Sequence, residues 1–317
     1  MVPMPERTRF SPILRGAAFR TGDVAHHGLT PDGLRSPLLQ KPFRGARALD
    51  VDIESVYGRC LAYEPLLSSN QLFCSVTAAR LLGFPLPHSL LGDTRLHVGS
   101  VGGQGPRRAG VVGHRLPSDT LRADAPGGFT TTDATTTWCQ LACMLSRDDL
   151  VAVGAYIISG QRLIGGRRTP AIATLDELRC SVERHSTGRG AASLRWALDR
   201  VRVGVDSAPE SLLRLLLVRS GFAEPKIALP VLVERGTLIL HPDLAWPELR
   251  LALEYEGDGH RENRKTFRAD IRRREMFEAA GWRVIRVTAD DLGAGRDAFI
   301  LRVRGIVAAR RTELTVK

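Results

Sequence analysis

The sequence predicts an α/β protein with more than one domain. Glu248 to Glu256 alternates apolar and polar residues at the period of a strand, and Ser207 to Leu217 repeats leucine at the period of a helix. Trp282 to Val287 is a further strand-like run beyond a second helix-like stretch. With 317 residues and 43% hydrophobic content the chain can bury a core, and at about 100–200 residues per domain it divides into two. Wholesale disorder is excluded.

Forty-five Lys and Arg against 34 Asp and Glu give a net charge of +11, which favours polyanionic partners such as nucleic acid. Only Lys41, Lys226, Lys265 and Lys317 are lysines. Arginine suits bidentate phosphate and guanine contacts, although a GC-rich coding sequence produces the same skew. The stretch Met1 to Glu6 has no apolar core of a signal peptide, and Leu150 to Ser159 is far shorter than the roughly 18 residues a membrane span needs. The expectation is a cytoplasmic protein without a membrane partner. Cys60, Cys74, Cys139, Cys143 and Cys180 lack paired metal-ligand spacing and are expected as buried thiols.

Along the first half, Phe19 to His27 is expected as a short helix capped by Thr21, with a turn at Gly28-Leu29 and a second helix opening at Thr30-Pro31. Leu38 to Leu49, basic and apolar, has the character of the β-hairpin wing of a winged helix-turn-helix, and equally of a helical hairpin with a solvated basic loop. Ser68 to Gly83 has helical spacing and ends on glycine. Leu96 to Val98 and Gly110 to Arg115 are strand-like, joined by a glycine-rich loop expected as a hairpin tip; no helix follows it to cradle phosphate. Thr130 to Trp138 leads into an apolar helix through Met144, and Ser146 caps another from Leu150 to Ser159. The polar stretch Gly160 to Thr169 is the expected boundary.

Arg44-Gly45 after the wing, the segment Thr77 to Gly83 and the trailing strand and helix resemble the abortive-infection type antitoxin family over most of residues 10 to 160. That resemblance implies double-stranded DNA binding, with Arg35, Arg44 and Arg47 at the interface, and allows a cognate toxin or a homodimer.

In the second half, Ser207 and Glu210 stand at capping-box spacing, and Leu212, Leu213, Leu216 and Leu217 form one apolar face. Thr237 to Trp246 and Glu248 to Glu256 are expected as an antiparallel hairpin turning at Trp246-Pro247. In its second strand Leu249, Leu251, Leu253 and Tyr255 face one way, and Arg250, Ala252, Glu254 and Glu256 the other. The turn would bring Asp243 beside Glu254. Converging carboxylates repel unless a divalent cation or a positive partner neutralises them, so this arrangement suits Mg²⁺ or Mn²⁺; a solvated sheet face is the plainer alternative. A basic stretch follows, with Arg261, Arg264, Lys265, Arg268, Arg272 and Arg273, as binding a DNA backbone requires. The plainer reading of that helix is a solvated face with an Asp270–Arg274 pair.

Glu210, Pro242-Asp243, Glu254-Tyr255-Glu256, His260, the basic helix and Trp282 to Val287 together resemble the PD-(D/E)XK nuclease superfamily, in the branch akin to very-short-patch-repair endonucleases. The resemblance covers roughly residues 200 to 310. It implies a restriction-endonuclease-like fold with Asp243, Glu254 and the carbonyl of Tyr255 as metal ligands. Glu210 would approach the metal directly or through water. Where the superfamily has a lysine that orients the attacking water, this chain has Glu256, which leaves that role to Glu256, His260 or a displaced lysine, Lys265. The expected organisation is a DNA-binding region at 1–165, a connecting segment at 166–200 and a nuclease domain at 201–317. The function implied is Mg²⁺-dependent DNA cleavage, with a DNA-binding regulator carrying a silent nuclease fold as the alternative.

Overall fold

A computed structural model of the chain describes residues 14–160, 162–163, 167–257 and 264–315; the side chains of Arg235 and of residues 264–269 are outside that description. The chain divides into two compact units, Met1–Cys143 and Met144–Lys317, both of mixed α/β character. Among the described residues no helix is long and apolar enough to cross a membrane.

The first unit opens with β1 (Ala17–Arg20) paired antiparallel to β2 (Ala46–Leu49). The residues expected as two helices form a strand and 3-10 turns instead, at Thr21–His27 and Gly33–Arg35. Arg20, not Thr21, stands at the N-cap of the first turn and makes no side-chain cap bond; Gly28, at φ 66°, ends it. The basic stretch after Leu38 supplies β2 and a bridge from Gln40 to Ala48. Neither a pair of α-helices nor a self-contained wing hairpin is formed there, because Ala46–Leu49 takes Ala17–Arg20 as its ladder partner.

There follow α1 (Val56–Tyr63), β3 (Gln71–Phe73), α2 (Ser75–Leu81), α3 (His88–Leu91), β4 (Leu96–Val101), β5 (Val111–Leu116), β6 (Arg122–Asp124), β7 (Thr130–Thr132) and α4 (Ala134–Gln140). The strands build a five-stranded sheet in the order β5-β4-β3-β7-β6. Its core includes Phe43, Tyr63, Phe73, Leu96, Val98 and Phe129. The run expected as one helix at 68–83 therefore begins as a strand, because Gln71–Phe73 finds ladder partners on both sides, in β4 and β7. The expected hairpin is also overturned, since β4 and β5 run parallel. The glycine-rich connection folds back over β5: a Cβ on Gly105 would lie 2.4 Å from the His114 amide nitrogen, and one on Gly113 would lie 2.2 Å from the Pro106 carbonyl oxygen. Only glycine permits that approach. Of the cysteines, Cys60, Cys74 and Cys139 are buried as expected, whereas Cys143 and Cys180 are exposed.

The second unit begins earlier than the polar stretch at 160–169. Its α5 (Arg147–Ser159), N-capped by Ser146, packs against α7 (Ala191–Leu198) and α8 (Ala208–Arg219), with α6 (Leu175–Arg184) beside α7. The expected boundary is tied into this unit by Arg168, whose guanidinium bonds the carbonyls of Gly160 and Gly204 at 2.9 and 2.5 Å and also pairs with Asp206.

The second sheet has the order β13-β12-β11-β8. Here β8 (Lys226–Ile227), β11 (Leu244–Trp246) and β12 (Leu251–Tyr255) are antiparallel neighbours. The chain then forms α9 (Arg264–Ala279) and returns as β13 (Arg283–Val287), parallel to β12. The run at 237–246 is not one strand. Leu238–Leu240 (β10) pairs with Val231–Val233 (β9) in a separate ribbon, and the ladder changes sheet at His241 to Asp243. The hairpin turn is a 3-10 turn at Pro247–Leu249 followed by Arg250 at φ 46°.

One face of this sheet is covered by Leu213 and Leu217 of α8 and by Phe299, Val303 and Val307 of α11 (Arg296–Thr315), which meet Leu244, Leu251, Leu253, Ile285 and Val287. Phe277 of α9 packs with Val231, Val233 and Val284 in a second apolar cluster. Between β13 and α11, Thr288 caps α10 (Ala289–Leu292) in a capping box with Asp291.

Candidate functional site

The register of β11 and β12 ends with Leu244 paired to Leu253, so Asp243 stands one residue beyond the ladder on the side of Glu254. The hydrogen bonding fixes the pair further: the Tyr255 amide donates to Oδ2 of Asp243 at 2.7 Å. The carbonyl of Tyr255 is the expected ligand; the group of Tyr255 that bonds Asp243 is its N–H.

Glu210 enters from the first turn of α8 and is 6% exposed. Only part of the expected capping box forms. The Ser207 hydroxyl donates to Oε1 of Glu210 at 2.8 Å, and the Asp206 amide donates to Oε2 at 2.9 Å. Burial, then the charge of Asp243, pushes the Glu210 carboxyl up to about 8. Burial, with a smaller contribution from Glu254, raises Asp243 to about 6 against the opposing Tyr255 amide and Arg273 charge. Glu210, Asp243 and Glu254 thus form one electrostatic group, as carboxylates near one another in a dry site must.

The positive partner of Glu254 comes from α9. Arg273 Nε donates to Oε1 of Glu254 at 2.7 Å, and its terminal nitrogen donates to the His241 carbonyl at 2.6 Å. Its guanidinium carbon lies 5.3 Å from the centroid of the buried Phe277 ring. Arg273, expected at a DNA backbone, is turned inward instead, and its side chain is only 32% exposed. Arg272 is exposed. Arg274 pairs with Glu278 at 3.6 Å, not with Asp270.

Glu256 does not join the other carboxylates as expected. Its side chain forms an ion pair with Arg286 of β13, and its amide continues the parallel ladder to the Val287 carbonyl at 2.7 Å. In the register of β12 and β13, Arg286 lies beside Glu254, two residues before Glu256 on the same face, and so within reach. His241 bonds the Ala228 carbonyl through Nδ1 at 3.0 Å. His260 and Arg261 lie outside the described residues, and the side chains of Arg264, Lys265 and Arg268 do too. In the first unit Arg35 is exposed beside Asp32, and Arg44 is exposed. Arg47 bonds the Leu34 carbonyl at 3.3 Å and so braces the 3-10 turn.

The donor set fits a hard divalent cation. Tyr255 engages one oxygen of Asp243 and Arg273 one oxygen of Glu254, and a carboxylate has two, so monodentate ligation is compatible with both bonds. Both Glu210 oxygens serve its own helix start, which suits contact through water. Among the described residues no three His, Cys, Asp or Glu side chains gather closely enough to cage an ion. Mg²⁺ needs no such cage, since it keeps several waters and takes one or two carboxylates plus substrate phosphate. A separate recess lined by Phe222, Trp246, Arg304 and Arg311 lies toward the far end of β11 from Asp243.

No family profile and no solved structure matches the chain. Two proteins of Mycobacterium tuberculosis are similar to it, uncharacterized protein MT2308 of strain CDC 1551 / Oshkosh and uncharacterized protein Rv2248 of strain H37Rv. Each is 29% identical over 137 residues, covering 40% of this chain and 50% of the relative. The chain therefore spans about half the length of the curated relatives it matches.

Proposed function

We propose that the protein is a metal-dependent DNA endonuclease, with a restriction-endonuclease-like second unit related to very-short-patch-repair enzymes and a first unit that contributes to DNA binding. The observation that carries this reading is Asp243 at the end of the β11–β12 ladder, bonded by the Tyr255 amide and in the electrostatic field of Glu254, with the buried Glu210 sensing its charge in turn. The order of helix, antiparallel hairpin, helix and parallel strand supports the same reading.

Asp243 and Glu254 would hold Mg²⁺ or Mn²⁺, and Glu210 would hold a water of its shell. Such an ion supplies a Lewis acid for the scissile phosphate and a bound water of lowered pKa. The chain's own residues prepare the place. Tyr255 fixes the Asp243 carboxylate, α8 buries Glu210, and Arg273 orients Glu254. The excess positive charge of the chain draws in the DNA backbone.

A second reading is favoured by one observation: Glu256 stands at the superfamily's lysine position and is held by Arg286. On that reading the fold is a silent scaffold in an antitoxin-like, DNA-binding regulator. Incubation with supercoiled plasmid and Mg²⁺ or Mn²⁺, beside the Asp243→Ala/Glu254→Ala double variant, separates the two. Metal-dependent nicking by the wild type alone supports the nuclease. DNA retardation on a gel without cutting by either supports the regulator. Preferential cutting of an RNA competitor would transfer the activity to RNA.

A further inference from the structure

An arginine of the basic helix α9 sits against a candidate metal ligand. It makes three contacts. Glu254 Oε1 takes Nε, the His241 carbonyl takes a terminal nitrogen, and the Phe277 ring lies beside the guanidinium. The charge is therefore held in place. Meanwhile the residue at the motif's lysine position is a carboxylate neutralised by Arg286, so position 256 contributes no cation to the pocket.

We propose that Arg273 is the positioning residue of this site, supplying from α9 the fixed positive charge that position 256 lacks. It holds Glu254 by one oxygen and leaves the second for the metal ion. It also lowers the negative potential that a metal ion meets. This inference rests on the nuclease reading, but it makes a separate claim about charge. Removing the guanidinium should tighten metal binding and slow cleavage together. Loss of structure would weaken both, so the opposed signs distinguish positioning from mere stability.

The test uses the full-length protein and its Arg273→Gln and Arg273→Lys variants. Mn²⁺ affinity is measured by calorimetry without DNA, and plasmid nicking is measured as kcat and KM. Arg273→Gln is expected to bind Mn²⁺ at least about tenfold more tightly, because a unit charge about 6 Å from a divalent ion is worth roughly that factor even at the dielectric of water. Its kcat should fall on the order of tenfold or more, with KM altered by less than about threefold, as for an interaction made in the transition state. Arg273→Lys should restore wild-type Mn²⁺ affinity, but only part of kcat, because an ammonium lacks the planar fork.

Unchanged Mn²⁺ affinity and kcat in Arg273→Gln would overturn the proposal, as would weaker Mn²⁺ binding accompanied by a lowered Tm. No Mn²⁺ binding by the wild type would overturn this inference and the nuclease reading alike. Tighter Mn²⁺ binding in Arg273→Gln, with no cutting by the wild type, would uphold the charge assignment and overturn the nuclease alone.

Discussion

In the first unit's sheet the buried polar groups answer one another, whereas in the second unit's sheet they are like charges held beside an arginine. His97 on β4 and His114 on β5 stack at 5.0 Å between centroids, with Nδ1 and Nε2 2.9 Å apart. One ring must donate and the other accept, so the pair is satisfied while neutral. Thr132 and Thr137 do the same through hydroxyls 2.7 Å apart. Asp243, Glu254 and Glu210 are acceptors only when ionised, and together they call for a cation from outside the sheet. Self-satisfied polar groups build a scaffold, and mutually repelling ones build a site.

The largest effect that would break this contrast is on activity. Asp243→Asn or Glu254→Gln should lower metal-dependent plasmid cutting by roughly 10²-fold or more, while gel retardation of DNA stays within about threefold of wild type. His97→Gln, equally buried in polar surroundings, should leave cutting within about threefold. Equal losses from both substitutions would erase the distinction between scaffold and site.

Core truncations come next. Trp138→Ala in the first unit and Leu253→Ala in the second remove side chains that are 0% exposed, each at a cost of about 2–5 kcal/mol by denaturant titration. A change below about 1 kcal/mol at either position would contradict the packing described.

The pH dependence sharpens the comparison because the two sheets have opposite signs. Burial, and then His114, depress His97 to about 4, and burial also lowers His114. Their contribution to stability is complete above the ordinary imidazole range near 6.5 and is lost as pH falls toward 4. Asp243 and Glu210 are raised, so their contribution is complete below about 4 and is lost as pH rises through about 6 and about 8. His97→Gln should flatten the fall in Tm between pH 6.5 and 5, and Asp243→Asn should raise Tm by a few degrees at pH 8 and by clearly less at pH 5. Scanning calorimetry across that range checks both, and a Tm gain for Asp243→Asn at pH 5 as large as at pH 8 would refute the sign. The smallest effect is at the surface, where Asp32→Ala beside the exposed Arg35 should change stability by no more than about 0.5 kcal/mol.

Much of the second unit was legible because its signals are local. The alternation in β12 and the helix at α8 follow from side-chain period. The approach of Asp243 to Glu254 was legible too, since a hairpin carries its register in the chain. What was illegible depends on partners distant in sequence. Parallel pairing of β4 with β5, the transfer of the ladder from one sheet to another at 241–243, and the recruitment of Ala46–Leu49 by β1 leave no mark on local period. In the same way Arg273 and Arg272 are neighbours on one basic helix. Only the fold turns one to Glu254 and leaves the other exposed.

The contribution of α11 to the second core has a consequence during synthesis. Phe299, Val303 and Val307 follow β11, β12 and β13 in the chain, so Leu251, Leu253, Ile285 and Val287 lack one of their covers until α11 docks. Every proposed ligand is therefore translated before the helix that closes the core beneath the sheet that carries them.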